Sequence, residues 1–421
     1  MSLRRTLYSV LLYLILPLVI LRLFWRSRTN PSYRKRISER FGFVNIKSKK
    51  KVIWAHAVSV GEVIAAQPLI NALIQQYPDN TILVTTTTPT GSDRVKAIFG
   101  NSVEHVYFPY DLPCVISRFL KHVKPITLIV IETEIWPNLY SKCGSNNIPL
   151  LLVNARLSDR STYRYSKIKT LVAETIENIS CIAVRSSIDA ERFVKLGADK
   201  NKISIVGNIK FDISLDSDQL ALGRSWRQSW NNTNLVWVAA STHIGEDEKV
   251  LEIHQNLLNR FPNLLLVLVP RHPERFDDVY ALCEKYEQMN VVRHSLVDNY
   301  EKKETKLILG DSMGEMQCWF ATADVVFIGG SLVEIGGHNP IEPIAQGVPV
   351  VSGSYMFNFD DITSELSDEG LLFMCSSKTK LEDKIIMLLN QKMNIEEKAK
   401  IFMQQHTGVT ARLLKLINKN L

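Results

Sequence analysis

The sequence predicts an α/β protein that contains two doubly wound domains behind an N-terminal apolar anchor. The chain has 421 residues, which exceeds the usual size of a single hydrophobic core. From about residue 51 onward, short apolar runs alternate with helical patterns, and this alternation is typical of parallel sheets covered by helices. An apolar segment at residues 7–25 precedes this pattern and adds a membrane anchor to the two domains.

The apolar segment at residues 7–25 is interrupted only by Ser9, Pro17, Arg22 and two tyrosines. It is about long enough to span a bilayer. No small-residue cleavage site follows Ile20, so an uncleaved anchor fits better than a secretory signal peptide. Pro17 and the marginal length leave open a helix that lies in one leaflet instead of crossing the membrane.

Basic residues crowd in and just after the end of this segment, in a chain whose formal net charge is +7. No RNA-binding aromatic motif or zinc-finger spacing accompanies them, so the cluster indicates a membrane surface and not nucleic acid. Because the larger basic cluster follows the anchor, we expect the body of the protein on the cytoplasmic side of the inner membrane. The basic residues are Arg22, Arg26, Arg28, Arg34, Lys35, Arg36 and Arg40.

The composition is that of a folded protein without a structural metal. Hydrophobic residues make up 46% and charged residues 22% of the chain, which argues against extended disorder. The six cysteines lack CxxC spacing, and the nine histidines lack the spacing of metal ligands. We therefore expect neither structural zinc nor disulfides in a cytosolic body.

The pattern divides the chain into five segments. We expect residues 1–40 to form the anchor and basic juxtamembrane segment, and residues 41–212 to form the first domain. Residues 213–234 lose periodicity and indicate a linker, residues 235–394 form the second domain, and a helix in 395–421 could pack back on the first domain. The predicted strands are 51–58, 81–87, 126–131, 150–154, 179–184, 203–207, 235–240, 264–269, 306–309, 325–328 and 348–351.

A glycine-rich turn in the second domain is the most informative local feature. An apolar run at 323–328 is followed by GGSLVEIGGHNPIEP at 329–343, in which Pro340 suits the first position of a helix. Glycines let the main chain approach a ligand, and a helix start offers free N–H groups to an anion. Glu342 could accept hydrogen bonds from sugar hydroxyls. The alternative is a plain turn with an acid that the helix dipole favours.

Glu62 is the best candidate for a general base in the first domain. It follows the first predicted strand on a βα turn, and burial behind that strand could raise its pKa. The alternative is structural, because Ser59 and Glu62 have the spacing of a capping box. The two roles compete for the same carboxylate oxygens.

Two further acids, Glu132 and Glu134, end another predicted strand and share one face if the chain stays extended. Buried acids need partners, and the segment from Asn154 to Arg156 at the end of the next strand could supply one. A functional role and a structural ion pair both remain open for this pair of acids.

Cations and main-chain groups at other strand ends complete the candidate site. Lys210 ends the last strand of the first domain, where a cation can offset charge on a reacting anion, although an ordinary surface lysine is equally compatible. Arg271 follows a very apolar strand and suits a phosphate, although a solvated turn arginine is equally compatible. The main chain of 311–316 could bond the edge of a base. His243 is a weaker candidate, and the D-x-D at 216–218 is discounted because it lies in the expected linker.

Eight motifs, in the same order, resemble the 3-deoxy-D-manno-oct-2-ulosonic acid (Kdo) transferases of lipopolysaccharide synthesis. They are HAVSVGE, TTTTPTG, IETEIWPN, NARLSDRS, GNIKFD, PRHPER, GDSMGE and GGSxxxxGGHNPIEP, and they cover essentially the whole chain. The resemblance implies a GT-B glycosyltransferase fold, in which two Rossmann-like domains face a cleft. It also implies CMP-Kdo as the donor, a lipid A precursor (lipid IVA) as the acceptor, inversion at the anomeric centre and release of CMP.

The resemblance also assigns roles by motif. Glu62 would be the base that deprotonates the acceptor hydroxyl, and Glu132 and Lys210 would stabilise the transition state. No metal or cofactor is implied, because a nucleoside monophosphate leaves and no pyrophosphate needs a metal clamp. The residues that would hold CMP are Pro270, Arg271, Met313, Gly314, Glu315, Asn339, Pro340, Ile341 and Glu342.

Two other functions are compatible with the same features. One is a different membrane-associated GT-B glycosyltransferase that uses another nucleotide sugar, such as a UDP-sugar. The other is a non-catalytic lipid-binding or scaffold protein that kept the fold, although the presence of Glu62, Lys210 and Arg271 argues against lost activity.

Overall fold

A computed structural model describes residues 2–28, 30–46, 48, 50–230, 235–296, 305–391 and 394–421, with Asp361 described by its main chain alone. The chain forms two compact units. Unit 1 comprises Met1–Asp212 together with His406–Leu421, and unit 2 comprises Ile213–Gln405. Each unit contains one parallel sheet of seven strands with helices around it, which confirms the predicted α/β class.

The sheet of unit 1 has the strand order β3-β2-β1-β4-β5-β6-β7. Its strands are β1 (Val52–His56), β2 (Thr81–Thr86), β3 (Glu104–Tyr107), β4 (Pro125–Ile131), β5 (Leu150–Ala155), β6 (Cys181–Val184) and β7 (Ile203–Ile205). The helices are α1 (Leu3–Arg26), α2 (Ile37–Arg40), α3 (Val60–Ala65), α4 (Gln67–Gln76), α5 (Pro89–Phe99), α6 (Pro113–Val123), α7 (Pro137–Ser145), α8 (Asp159–Ser166), α9 (Lys169–Ile176) and α10 (Ser187–Lys195).

The sheet of unit 2 has the order β10-β11-β9-β8-β12-β13-β14. Its strands are β8 (Val236–Thr242), β9 (Leu265–Pro270), β10 (Val291–Arg293), β11 (Leu307–Leu309), β12 (Val325–Ile328), β13 (Val350–Ser352) and β14 (Leu372–Met374). The helices are α11 (Ser217–Ser229), α12 (Asp247–Leu258), α13 (Phe276–Glu284), α14 (Met316–Thr322), α15 (Ile341–Ala345), α16 (Asp360–Asp368), α17 (Lys378–Gln391) and α18 (Glu396–His406). Helix α19 (Val409–Asn420) belongs to unit 1.

The central strands are buried on both faces. Along β1, Ile53 and Trp54 are both fully buried but pack into different clusters, one on each side of the sheet. Leu151 and Leu152 divide in the same way on β5. A parallel strand that is covered by helices on both faces reads as a continuous apolar run, and these runs were the signal in the sequence.

Three strands, β3, β10 and β14, were not predicted. Each lies at an edge of its sheet, and each is only three or four residues long. All three residues of β10 are only partly buried. The strands β3 and β10 mix polar and apolar residues, so the sequence shows no continuous apolar run there. In contrast, β14 lies in a short apolar run at 371–375 that the sequence analysis did not select.

Helix α11 lies within the segment 213–234 that was expected to be a linker; residues 231–234 of that segment are outside the described part of the chain. The helix packs on α14 through a narrow stripe that contains Gly223 and Trp226. A Cβ on Gly223 would lie 2.3 Å from the carbonyl oxygen of Cys318, so the two helices approach closely. A stripe of glycine and tryptophan among polar residues has little apolar periodicity, and the sequence therefore looked irregular.

The C-terminal helix expected at residues 395–417 is divided into α18 and α19. Gly408 separates them at φ 79°, a left-handed conformation that glycine adopts without strain. The carboxylate of Asp212 accepts hydrogen bonds from the main-chain N–H groups of Val409 and Thr410, and so caps the start of α19. Asp212, at the end of the first segment of unit 1, is thus hydrogen-bonded to the last helix, which belongs to the same unit.

Candidate active site

The strand order of each sheet reverses once beside its first strand. In unit 1 the chain passes from β1 to β2 on one side, whereas β4 lies on the other side of β1. In unit 2 the same reversal separates β8 and β12. Loops diverge at such a switch point and leave a crevice at the carboxyl ends of the strands, where ligands of doubly wound proteins bind. Glu62 and Glu132 follow β1 and β4, and the glycine-rich segment follows β12.

Glu62 takes part in a helix cap, as its spacing to Ser59 predicted. Oγ of Ser59 accepts a hydrogen bond from the main-chain N–H of Glu62 at 3.4 Å. In return, Oε2 of Glu62 accepts from the main-chain N–H of Val58 at 2.6 Å, one residue before the usual partner in a capping box. The hydroxyl of Ser59 also lies 3.3 Å from Oε1 of Glu62.

The hydrogen bonds of this helix cap do not hold the pKa of Glu62 at its ordinary value. Burial raises the pKa of its carboxyl group to about 8, and the nearby carboxylates of Glu132 and Glu134 act in the same direction, although the hydrogen bond from Val58 opposes them. Burial and the charge of Glu132 also raise the pKa of Glu134, to about 7. Three acids therefore form one electrostatic cluster at the switch point of unit 1.

Glu132 is held by an arginine that the sequence analysis did not select. Nη2 of Arg185, which directly follows β6, lies 2.5 Å from Oε1 of Glu132, and Arg185 is only 6% exposed. Nε of Arg185 also donates to the carbonyl oxygen of Asn154 at 3.2 Å. Glu132 itself has φ 62°, a left-handed conformation that is costly for a residue with a Cβ. Such strain is commonly found where a side chain is held in position for function.

Asn154 connects the end of β5 to the turn that carries Lys210. It is fully buried at φ 53°, and its Oδ1 accepts a hydrogen bond from the main-chain N–H of Ile209 at 3.1 Å. The main-chain N–H of Lys210 donates to Oδ1 of Asn208 at 3.2 Å. Lys210 thus lies on a short 3₁₀ turn, Ile209–Phe211, whose main chain is fixed from two sides.

In unit 2 the glycine-rich turn binds an internal carboxylate. Glu246 is fully buried, and its oxygens accept hydrogen bonds from the main-chain N–H groups of Gly330 (2.6 Å), Ser331 (3.1 Å) and Leu332 (2.9 Å). A fourth bond comes from the N–H of His243 at 2.9 Å. Glu246 therefore occupies these N–H groups, and they are not available to an anionic ligand.

The helix start after the glycine-rich turn is also partly satisfied internally. Helix α15 begins at Ile341 with Pro340 as its N-cap, one residue later than predicted. Oδ1 of Asn339 accepts from the N–H of Ile341 at 3.0 Å, and Nδ2 of Asn339 donates to Glu342 at 2.9 Å. Burial raises the pKa of Glu342, and the hydrogen bond from Asn339 opposes this shift. Asn339 and Glu342 are thus held as a unit beside the turn.

The remaining predicted nucleotide residues follow β9 and β11. Pro270 ends β9, and the N–H of the exposed Arg271 donates to the carbonyl oxygen of Thr242 at 3.0 Å. After β11, Met313 is 61% exposed and Gly314 has φ 86°. Glu315 accepts from the hydroxyl of Ser312, and its Oε2 lies 3.1 Å from Nε2 of His294. Each of these residues lies at the carboxyl end of the sheet of unit 2.

Residues 35–213 match the family model described as 3-deoxy-D-manno-octulosonic-acid transferase (kdotransferase), and residues 248–405 match glycosyl transferases group 1. A 3-deoxy-D-manno-octulosonic acid transferase from Haemophilus influenzae is 44% identical over 419 residues, which cover 98% of each chain. The chain belongs to the Kdo transferase family. It is accordingly a glycosyltransferase, and the resemblance seen in the motifs is confirmed.

Two solved structures resemble this Kdo transferase family member. The C-terminal CMP-Kdo binding domain of WaaA from Acinetobacter baumannii is 33% identical, with 46% of this chain and 98% of that domain covered and a TM-score of 0.41. A putative UDP-N-acetylglucosamine 2-epimerase from Listeria monocytogenes is 14% identical, with 88% and 96% covered and a TM-score of 0.52. The second likeness concerns the fold alone and agrees with the GT-B class.

Arg185 and Glu246 were the residues that sequence reasoning missed. Arg185 follows a strand as directly as Arg156 does, so the same strand-end rule could have selected it. Glu246 is three residues after His243, the spacing of a capping box, and its carboxylate does accept the N–H of His243. Its main task, to bind the turn after β12, depends on strand adjacency, which a single sequence does not reveal.

We predict that Glu246→Gln loosens the glycine-rich turn. The amide keeps the size of the side chain but presents an NH₂ group to main-chain donors, so about 3 kcal/mol of charge-assisted hydrogen bonding should be lost. Hydrogen exchange of the amides of residues 330–332 should then be roughly a hundredfold faster. Glu248→Gln, an exposed neighbour on α12, is the matched control and should leave this exchange unchanged. Equal protection in both variants would contradict the role of Glu246.

Proposed function

We propose that the chain transfers Kdo from CMP-Kdo to the lipid A precursor lipid IVA, with inversion of the anomeric centre and release of CMP. Membership of the Kdo transferase family supports the transferred sugar. The observation that carries the mechanism is Glu62, a partly buried carboxylate with a pKa of about 8 at the switch point of unit 1. A group with a pKa near the operating pH is suited to accept a proton in the transition state.

In the proposed reaction the bond from the anomeric carbon of Kdo to the CMP phosphate breaks while an acceptor hydroxyl attacks from the opposite face. Glu62 takes the proton of that hydroxyl. Glu132, oriented by Arg185, stabilises positive charge that develops on the sugar ring, and Lys210 offsets negative charge on the departing phosphate. Arg271 binds the same phosphate with its forked donors. The proton ends on Glu62, and the electrons of the broken bond leave with CMP.

In the same proposal unit 2 holds CMP. Pro270 and Arg271 contact the phosphate side, the main chain of Met313, Gly314 and Glu315 bonds the base, and Asn339 to Glu342 bind the ribose. The exposed side chain of Met313 and the open surroundings of Gly314 leave the main chain of that loop accessible. Because Glu246 occupies the N–H groups of the glycine-rich turn, the phosphate charge must be met by side chains.

We predict that Glu62→Gln abolishes Kdo transfer without unfolding unit 1. The Gln amide oxygen still accepts the N–H of Val58, so the helix cap survives, but the amide cannot take a proton. Loss of a general base costs about a hundredfold or more in rate. Detergent-purified protein would be incubated with lipid IVA and with CMP-Kdo generated in situ, and the lipid products weighed by mass spectrometry. Mass increments of one or more Kdo units in the wild type, absent in the variant, are expected.

A stability control separates lost catalysis from lost folding. Since the pKa of Glu62 is raised from 4.5 to about 8, its ionisation costs folding free energy that is absent below 4.5 and fully present above 8. Glu62→Gln removes this cost, so the variant should be at least as stable as the wild type at alkaline pH. Transfer by the variant at near wild-type rate would return Glu62 to its capping role, and no transfer by either protein would indicate another donor sugar.

We predict that kcat/KM for Kdo transfer rises with pH through an apparent pKa near 8, because the base must lose its proton. Glu134→Gln removes one of the like charges that raise the pKa of Glu62, so the rising limb should move to lower pH. Glu191→Gln, exposed on α10, is the control and should leave the limb in place. A limb that does not move in Glu134→Gln would contradict the electrostatic coupling.

The lipid acceptor requires a membrane-bound enzyme, and α1 supplies an apolar face. By length and composition alone, α1 is long and apolar enough to cross a membrane. Its exposed positions recur every three or four residues and so share one face. They include Leu3, Leu7, Leu11, Leu14, Leu18, Leu21 and Trp25.

The opposite face of α1 is docked on unit 1 by polar contacts along its first half. Ser2 and Arg4 contact Glu174 at 2.6 and 2.9 Å. Tyr8 donates to the buried Asp111 at 3.1 Å. Ser9 donates to Asn138, and the hydroxyl of Tyr13 lies 3.2 Å from Sγ of Cys114. A helix that crossed the bilayer would carry these residues to the far side, away from their partners. We therefore propose that α1 lies in the plane of the cytoplasmic leaflet.

The basic cluster divides into two groups around this helix. Arg36 pairs with Glu39 at 2.6 Å, and the buried Arg40 donates to the carbonyl oxygen of Thr87 and lies over the ring of Tyr107. These two arginines serve the fold and do not face lipid, contrary to the expectation from sequence. The five exposed residues Arg22, Arg26, Arg28, Arg34 and Lys35 remain for anionic headgroups.

We predict that residue 2 lies on the cytoplasmic side. Ser2→Cys, made in a Cys114→Ser background to remove the exposed native thiol, should react with a membrane-impermeant maleimide only after the cells are permeabilised. The other cysteines are buried and provide no competing signal. If Ser2→Cys were labelled in cells in which only the outer membrane is permeabilised, the helix would span the inner membrane. That result would contradict the in-plane arrangement.

A further inference from the structure

Two histidines that the proposed mechanism does not use meet at the switch point of unit 2. His243 follows β8 and His338 precedes α15, and their Nε2 atoms are 2.8 Å apart. The two rings are parallel within 3°, with centroids 5.1 Å apart. Gly330 packs against both rings, since a Cβ there would lie 3.4 Å from each Cδ2 atom. Both side chains are only partly buried.

The contact limits how many protons the pair can hold. In a pair of neutral imidazoles, one Nε2 donates its hydrogen and the other accepts it. One extra proton can be added at the Nδ1 atom of the donor ring, which keeps the bond and gives the pair one positive charge. A second extra proton would place two N–H groups against each other and break the contact. The pair can therefore switch between charges of zero and plus one.

In the protein without ligand the surroundings keep the pair neutral. Burial, His243, Arg271 and His272 lower the pKa of His338 to about 3, and burial, His272 and the two arginines that follow β9 lower that of His243. The acids near the pair are engaged elsewhere, Glu246 with the glycine-rich turn and Asp247 with Arg275. The charged or titratable groups on the segments that form this region are Glu246, Asp247, Arg271, His272, Glu274, Arg275, Glu334 and Glu342.

An anion that binds beside the pair would reverse this balance. Three cationic or titratable groups, Arg271, His272 and Arg275, lie on one side of the pair. Arg275 is paired with Asp247, and the exposed carboxylate of Glu274 lies 3.8 Å from Nδ1 of His272. A negative charge placed between these three groups and the imidazoles favours the protonated form of the pair. The arrangement is thus built to accept an anion together with one proton.

The donor proposed above has an anionic group for this position. In CMP-Kdo the phosphate and a carboxylate are both attached through the anomeric carbon, so the two charges lie only a few bonds apart. The ring of His243 lies 5.4 Å from that of His272, which directly follows Arg271, and His338 directly precedes Asn339. The pair therefore adjoins both segments that are expected to hold the nucleotide. A carboxylate on the anomeric carbon of a phosphate-bound sugar would reach the histidines.

We propose that His243 and His338 form the subsite for the carboxylate of the donor sugar, and that the pair takes up one proton from solvent when the donor binds. This inference rests on the proposed function. It makes the pair a determinant of donor specificity. A nucleotide sugar without this carboxylate brings no negative charge to the pair and therefore does not favour its protonation.

The kinetic test compares CMP-Kdo with CMP, which has the nucleotide but no carboxylate. His243→Gln and His338→Gln should each raise the KM for CMP-Kdo by about tenfold, equivalent to about 1.4 kcal/mol. The inhibition constant of CMP should change by less than about twofold, which a general distortion of unit 2 would not allow. His122→Gln is the control, since it removes an exposed imidazole on α6 of unit 1, and its KM should stay near that of the wild type.

A binding test requires no turnover. With ¹⁵N-labelled histidine and no acceptor lipid, CMP-Kdo should shift the nitrogen resonances of His243 and His338 to the pattern of one protonated pair, whereas CMP should not. Equal changes in KM and in the CMP inhibition constant, no change in either, or an equal effect of His122→Gln would overturn the inference. If the wild type transfers Kdo but these resonances do not respond, the inference alone fails. If it neither transfers nor binds CMP-Kdo, the proposed function fails as well.

Discussion

Parallel pairing of strands is the constraint on which the rest of this molecule depends. A sheet covered by helices on both faces favours apolar side chains along its strands, so most of the charged residues lie where the strands end. Because the strand order reverses beside β1 and β8, the loops that follow these strands diverge from those after β4 and β12. Glu62 and Glu132 lie at this reversal in unit 1 and interact electrostatically. In unit 2, Glu246 lies at the corresponding reversal and accepts hydrogen bonds from the glycine-rich turn.

Three carboxylates at these strand ends show how local donors decide the character of an acid. Glu246 receives four main-chain N–H bonds and serves as a fixed structural anion. Glu132 is paired with the buried guanidinium of Arg185. Burial and the like charges of Glu132 and Glu134 raise the pKa of Glu62 to about 8, although one short main-chain hydrogen bond opposes the shift. A carboxyl group with such a pKa is suited to proton transfer near neutral pH.

The sequence predicted the central strands and the strand-end acids for the same reason. A buried strand such as β4 produces an apolar run, and a polar residue that interrupts its end, such as Glu132, is visible by contrast. The edge strands β3 and β10 lack this contrast, whereas the apolar run that contains β14 was overlooked. The packing surface of α11 includes Gly223 and Trp226, which give no clear helical period of apolar residues. Partner choice was also hidden, because the pairing of β5 with β6 brings Arg185 to Glu132, and strand adjacency is a tertiary property.

The docked anchor helix and the acidic cluster share one structural element within unit 1. Asp111 accepts the hydroxyl of Tyr8 on α1 and also the main-chain N–H groups of Asn138 and Leu139, and so caps the start of α7. The loop directly before α7 carries Glu132 and Glu134. Burial raises the pKa of Asp111 to about 7, so its hydrogen bonds matter for keeping it ionised. Loss of α1 would remove one of them, and the helix start that supports the acidic loop would be weakened along with the membrane attachment that we propose for α1.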